Sequence, residues 1–336
     1  MIELDVPRLH LAQLPTPLEE ARRLSACLGG PRIFFKRDDL TGVGLGGNKV
    51  RKLEFVMARA TSGQFDTLVV CGGYQSNLAR IAAAMGNRLG LKVVLVLGGE
   101  PGESRLPMGN LLLDHLYGAT VHMVETVPRW EFGTAVEDVA EELRRKGSRP
   151  LVLPLGASGP DGIAAYVKAT EELLAQLDDQ GLRPSRLYVA VGSGGTFSGL
   201  SLGALNGGAP YRVVGVSVSR TREYLLQQLP IIAEHAAEAL HLPRRPGPGD
   251  LDIEDAYVGA GYGALTAGCR DAIHLVARTE GVLLDPVYSG KAMHGLIDHV
   301  RTGRITPGET VIFLHTGGLP ALFAYDPASL GVTAAR

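Results

Sequence analysis

The sequence predicts an α/β fold of mainly parallel sheets wrapped by helices. Three observations carry this. Short apolar runs rich in β-branched residues recur along the chain, stretches of helical periodicity lie between them, and many of the 44 glycines fall at the junctions. A strand buried on both faces reads as a continuous apolar run, and strands alternating with helices build parallel sheets.

In chain order, buried strands are expected at 67–71 (TLVVC), 92–97 (KVVLVL), 120–124 (TVHMV), 151–154 (LVLP), 187–191 (LYVAV), 212–218 (RVVGVSV) and 311–314 (VIFL). The clearest helical patterns span 51–60, 76–89, 109–116, 135–146, 162–177 and 197–206. The stretch 242–250 (LPRRPGPGD) is too rich in proline and glycine for regular structure and reads as a surface loop within one domain. At 336 residues, about two domains are expected. The expected arrangement is a small α/β domain over 52–158 and a larger, discontinuous domain from 1–51 and 159–336. Composition alone does not show this discontinuity.

Composition narrows the function classes. Hydrophobic residues make up 45% and charged residues 20%, with a net charge of -2 and a pI near 6.5. No basic face is implied, so no nucleic-acid partner is expected. Three cysteines, Cys27, Cys71 and Cys269, are odd in number and far apart, so neither a disulfide framework nor a zinc spacing is visible. No metal is expected, and a reducing, cytoplasmic setting is the simple reading. The opening MIELDVPRLHLAQLPTPLEE carries acids early, so no signal peptide is expected. No run approaches the roughly 18 apolar residues that span a bilayer, so no membrane association is expected.

Four motifs carry candidate chemistry. In Gly46-Gly47-Asn48-Lys49, the glycine pair and asparagine read as a turn and a helix N-cap. Lys49 then falls in the first helical turn, where the helix dipole disfavours a cation, and Lys52 follows on the same face. Nearby positive charge and burial both lower a lysine pKa, which an amine needs to form a Schiff base. A solvated basic helix start accounts for the same spacing. Gly192-Ser193-Gly194-Gly195-Thr196 follows one expected strand and opens a helix, where converging backbone N–H groups hold an anion. An ordinary strand–helix turn is the competing reading. GxGxxG and Walker spacings are absent, which counts against dinucleotides and nucleoside triphosphates.

Gly72-Gly73-Tyr74-Gln75-Ser76-Asn77 also joins a strand to a helix, so Ser76 and Asn77 stand beside free backbone N–H groups that suit a carboxylate. Plain helix capping is the commoner use of such residues. The last cluster joins 284–293 (LDPVYSGKAM), read as a short strand entering a helix, with Leu314-His315-Thr316-Gly317-Gly318 at another strand end. His315 reads as a packed strand histidine, and no Ser/His/Asp order is evident. Ligands of open α/β sheets collect at strand C-terminal ends, and the four such ends at 72–77, 192–196, 284–293 and 314–318 together describe one polar crevice.

Together, GGNKVRKLEF, GGYQSN, GSGGT, DPVYSGKAMHGLID and HTGGLPALFAY resemble the motifs of the 1-aminocyclopropane-1-carboxylate deaminase and D-cysteine desulfhydrase family, and LPTPLEE and FFKRDDLTG match as well. The resemblance runs from about Pro15 to Tyr325. Family members are fold-type-II pyridoxal phosphate enzymes, similar to the tryptophan synthase β-subunit. The resemblance implies two open, twisted, mainly parallel sheets, pyridoxal 5'-phosphate as cofactor, a small amino acid as substrate and a homodimer. It implies that Lys49 bonds to the cofactor, Lys52 lies near its phosphate, and Gly192, Ser193, Gly194, Gly195 and Thr196 form the phosphate cup. Asn77 matches the asparagine beside the cofactor's 3'-oxygen, and Ser76 a serine near the substrate carboxylate and α-carbon. Tyr288 matches a tyrosine against the ring and the reacting lysine, and Tyr262 a second active-site tyrosine.

Ser289 matches the position that meets the pyridine nitrogen, where the cyclopropane deaminases carry Glu. A carboxylate keeps that nitrogen protonated and the ring a deep electron sink, whereas a serine gives a weaker one. Thr316, on the substrate side, stands where those deaminases have Leu. The reading is therefore β-elimination from D-cysteine, with cyclopropane deaminase and L-cysteate sulfo-lyase as alternatives. Leu78 and Ile81, where polar residues are usual, and Ala264-Leu265-Thr266, where a Pro-Asn or Pro-Thr pair is common, depart from the pattern beside the expected substrate pocket. A nicotinamide oxidoreductase would need an acid about 20 positions beyond GSGGT, but 217–220 reads Ser-Val-Ser-Arg. A non-catalytic binding protein would have no need of Lys49.

Overall fold

The computed structural model describes residues 2, 4–99, 106–125 and 131–332. Among them the strands are β1 (Leu18–Glu20), β2 (Arg32–Lys36), β3 (Thr67–Gly73), β4 (Lys92–Gly99), β5 (Thr120–Glu125), β6 (Pro150–Leu153), β7 (Arg186–Val191), β8 (Arg212–Ser217), β9 (Asp252–Glu254) and β10 (Thr310–Leu314). The helices are α1 (Arg22–Cys27), α2 (Asn48–Ser62), α3 (Asn77–Leu89), α4 (Gly109–Leu116), α5 (Ala135–Arg145), α6 (Pro160–Asp179), α7 (Gly195–Gly207), α8 (Arg222–Ala239), α9 (Ala267–Glu280), α10 (Ser289–Arg301) and α11 (Leu319–Leu322).

Two sheets form, one in the order β1-β2-β10-β7-β8-β9 and one in the order β5-β4-β3-β6. All strand pairs are parallel except β1 with β2. The alternating residues of β3 explain its apolar run. Leu68 and Val70 pack toward α2 and α3, while Val69 packs on Ala140 of α5. In the larger sheet, Leu187 and Val189 join a core with α6, α7 and α8, and Tyr188 faces α9 and α10. Each such fully buried aliphatic side chain contributes about 2 kcal/mol. β1 and β9, at three residues each, are too short to show periodicity.

α7 lies close against α6 because Gly199 and Gly203 lack side chains. A Cβ at Gly199 would stand 2.5 Å from the Tyr166 Cβ, and one at Gly203 2.5 Å from the Thr170 Oγ1. α2 serves both cores. Val50, Leu53, Val56 and Met57 pack with the smaller sheet, and Phe55 with the larger. The expected boundary between residues 51 and 52 thus falls inside one helix.

The strand expected just before the 289 helix is absent. Residues 282–285 have no regular structure, and 286–288 form a turn. Pro286 has no N–H to give a ladder. The Asp285 carboxylate instead accepts the backbone N–H groups of Val287, Tyr288 and Ser289 at 2.7–2.9 Å, which starts α10. Among the described residues, no helix is long and apolar enough to cross a membrane.

Candidate active site

The ends of β3, β7, β8 and β10 open on one cavity of about 950 Å³, counting the solvent at its mouth. Ten of the sequence-predicted residues line it: Lys49, Ser76, Asn77, Gly192, Ser193, Gly194, Thr196, Tyr262, Tyr288 and Thr316. Lys52, Gly195 and Ser289 do not.

Lys49 is the second residue of α2. Gly47, not Asn48, is the N-cap, at φ 118° and ψ 166°. A positive φ suits glycine and strains asparagine. Asn48 is freed to work across the cavity. Its Nδ2 donates to Thr196 Oγ1 at 3.0 Å, and its backbone N–H donates to Thr316 O at 3.0 Å. The helix bearing Lys49 is thereby tied to both the glycine-rich turn and the end of β10. Burial lowers the Lys49 amine to about 8. Lys52 lies behind it, fully buried, with Nζ 3.1 Å from Gly156 O. Burial first, and the Lys49 charge second, push its pKa well below the ordinary value.

The glycine-rich turn runs from β7 into α7, capped by Gly194 at φ 90°. The first N–H groups of a helix have no partner within it. The Gly195 N–H reaches Ser158 Oγ at 3.3 Å, and Ser158 Oγ lies 2.8 Å from Ser193 Oγ. A Cβ at Gly195 would stand 2.9 Å from the Lys52 Nζ. Backbone donors, three hydroxyls and a buried amine therefore converge on the start of α7.

On the opposite wall, Ser76 both lines the cavity and caps α3, accepting the Ala79 N–H at 3.2 Å. Asn77 follows, its Oδ1 taken up by Asn110 Nδ2 at 3.1 Å and Arg80 Nη2 at 3.3 Å. Tyr262 and Tyr288 meet at 2.6 Å between hydroxyl oxygens, and burial raises the Tyr288 phenol well above its usual range. Ser289 is buried, its hydroxyl donating to Asp285 Oδ1 at 2.5 Å and accepting the Asp285 N–H at 2.7 Å. His315 is held by Leu283 O and the Gly317 N–H, and burial lowers its pKa.

Sequence reasoning gave no role to Ser158, Cys71 or Arg220. Cys71 and Arg220 line the cavity at the ends of β3 and β8, and the strand-end rule applied to 217–220 would have found Arg220. Ser158 enters through a short 3₁₀ turn, Leu155–Ala157, and its sequence neighbourhood carries no signal.

The family model for pyridoxal-phosphate dependent enzymes matches residues 9–317. The chain belongs to this family. Relatives of two different names share about two fifths of its residues. It is 40% identical to a 1-aminocyclopropane-1-carboxylate deaminase of Burkholderia ambifaria, over 95% of this chain and 96% of that one. It is also 40% identical to a D-cysteine desulfhydrase of Salmonella typhi, over 96% of this chain and 97% of that one. A crystal structure described as an ACC deaminase homologue superposes with a TM-score of 0.88 at 36% identity, covering 97% of this chain and 96% of that one.

The site of this pyridoxal-phosphate enzyme fits the cofactor. Anion-seeking donors converge at one end, and an amine with a lowered pKa stands in the same cavity. When bound to a lysine amine, the cofactor supplies an electron sink for charge released at a substrate's α-carbon. Among the described residues, no cluster of His, Cys, Asp or Glu could hold a metal ion.

Proposed function

We propose that the enzyme eliminates the β-substituent of D-cysteine, taking up water to give pyruvate, sulfide and ammonia. The carrying observation is the absence of any carboxylate among the described residues that line the cavity. Lys49 and Arg220 are its cationic side chains, and the rest of its polar side chains are Ser, Thr, Asn, Tyr and Cys. A ring nitrogen here has no acid to keep it protonated, and the nearby Ser289 is neutral and already tied to Asp285. The leaving group must then do part of the work, which sulfide does and a cyclopropane carbon does not.

In this reading Lys49 holds the cofactor and removes the α-proton, and Lys52 lies near the phosphate from behind. The turn from Gly192 to Thr196 holds the phosphate, and Asn77 donates to the cofactor's 3'-oxygen. Ser76 receives the substrate carboxylate, Tyr288 and Tyr262 handle protons near the leaving group, and Thr316 borders the substrate. We also propose a cytoplasmic homodimer, divided into 1–51 with 159–336 and 52–158. The free thiols of Cys27, Cys71 and Cys269 and the two sheets support the setting and the division.

Pyruvate, sulfide and 2-oxobutyrate measured with each substrate test this. D-Cysteine and β-chloro-D-alanine should turn over at least about tenfold faster than 1-aminocyclopropane-1-carboxylate, a barrier difference of about 1.4 kcal/mol. Ser289→Glu with Thr316→Leu should narrow that ratio. Dominant 2-oxobutyrate from the wild type would make the enzyme a deaminase, and activity on L-cysteate alone a sulfo-lyase.

A further inference from the structure

Arg80 and Asn110 lie outside the cavity lining, yet both are fully buried. Arg80 is one turn beyond Asn77 on α3, and Asn110 is the second residue of α4. Arg80 Nε donates to Asn110 Oδ1 at 2.7 Å. Its Nη2 donates to Asn77 Oδ1 at 3.3 Å and to Gly46 O at 3.2 Å. Asn110 Nδ2 donates to Asn77 Oδ1 at 3.1 Å and to Gln75 O at 3.0 Å. Gln75 Oε1 in turn accepts the Asn110 N–H at 2.8 Å.

A side-chain amide has one accepting end and one donating end. The accepting end of Asn77 is occupied from beneath by two donors, so its NH₂ is the end left for the cavity. The opposite orientation would set NH₂ against the donors of Arg80 and Asn110 and leave buried groups unpaired, which is costly. Burial pushes the Arg80 guanidinium down to about 10, so holding a cation at this depth carries a cost of its own.

We propose that Arg80 and Asn110 are positioning residues that lock Asn77 as a hydrogen-bond donor toward an anionic oxygen of the bound cofactor. The same guanidinium grips Gly46 O just before α2, so one side chain sets the Asn77 donor against the start of the Lys49 helix. The inference rests on the reading of Asn77 beside the 3'-oxygen and adds what orients it.

The test uses cofactor-loaded enzyme and the visible absorbance of the cofactor, titrated with pH. In Asn110→Asp the carboxylate still accepts from Arg80 Nε, which favours folding, but it now faces Asn77 Oδ1 as an acceptor. The amide should turn over and present oxygen to the cavity. The titration midpoint should then move by about one pH unit, the scale of one hydrogen bond to a charged group. kcat should fall, with KM little changed. Asn110→Leu keeps the Arg80 bond to Asn77 and should move the midpoint less, while Asn77→Ala should move it as far as Asn110→Asp. If Asn77→Ala moves the midpoint and Asn110→Asp does not, the positioning role is wrong and the reading of Asn77 stands. If neither moves it, both are wrong. A lowered Tm in Asn110→Asp with an unmoved midpoint would mark a merely structural role and overturn the proposal.

Discussion

Lys49 shows how position alone can prepare a side chain for chemistry. Its amine is lowered to about 8 from an ordinary 10.5, and burial is the cause. Desolvation disfavours the charged form, and only the neutral amine attacks an aldehyde. Below about pH 8 most of the apoenzyme carries a charged Lys49, and above it most carries a neutral one. The rate at which apoenzyme takes up pyridoxal phosphate should therefore rise from pH 6.5 through about 8 and then level off. Stopped-flow growth of the visible absorbance measures this, and a pH-independent rate across that range would contradict the assignment. Lys49→Ala should show neither that absorbance nor turnover. Ser289, which the resemblance sets against a ring nitrogen, turns its hydroxyl toward Asp285. Sequence can name the residue at such a position but not the direction of its hydrogen bond.

At the level of elements, the strand-end rule proved the most legible signal. The motifs after β3, β7 and β10 reach the same cavity, because parallel strands present their C-terminal ends on one edge. Local hydrogen bonding made the remainder hard to read. The N-cap of α2 is Gly47 rather than the expected Asn48, because the backbone there needs a positive φ. The stretch before α10 looked like a strand by its apolar residues, and Asp285 with Pro286 made it a capped turn. Ser158 joins the glycine-rich turn from a different segment, which no spacing within GSGGT could indicate. The β7–α7 turn carries its own prediction. Its donors are backbone N–H groups and hydroxyls, so Thr196→Asp adds a like charge beside the phosphate and removes the hydroxyl that accepts from Asn48. Cofactor affinity should fall at least about a hundredfold, as expected for about 3 kcal/mol. Equilibrium titration of apoenzyme reads this, and unchanged affinity would remove the turn as the phosphate site.

Across the whole molecule, the two sheets meet at α2, and a buried ionic network fixes that helix to the larger one. Arg51 pairs with Asp38 through Nε and Nη2, and with Glu172 of α6 through Nη1 and Nη2, at 2.8–3.0 Å. Lys36 of β2 also pairs with Glu172, and Tyr166 donates to Asp38 at 2.7 Å. Two cations thus share one glutamate, and one of them, Arg51, stands two residues along α2 from Lys49. Hydrogen bonds from Arg51, with the charges of Arg51 and Lys36, outweigh burial and hold the Glu172 pKa at about 2. Replacing one partner of a buried pair leaves the others uncompensated. Glu172→Gln should cost about 3 kcal/mol at pH 7. The contribution of Glu172 is present above its unfolded pKa near 4.5 and is lost as pH falls toward 2. The gap between variant and wild type should therefore be constant from pH 7 to about 5.5 and begin to narrow by about pH 4. Denaturant titrations of both proteins at those pH values measure it. Because Arg51 anchors the first turns of α2, the variant should also release cofactor faster on dilution. Equal stability at pH 7 would show that Asp38 alone holds Arg51, and that the tie between the larger sheet and the Lys49 helix lies elsewhere.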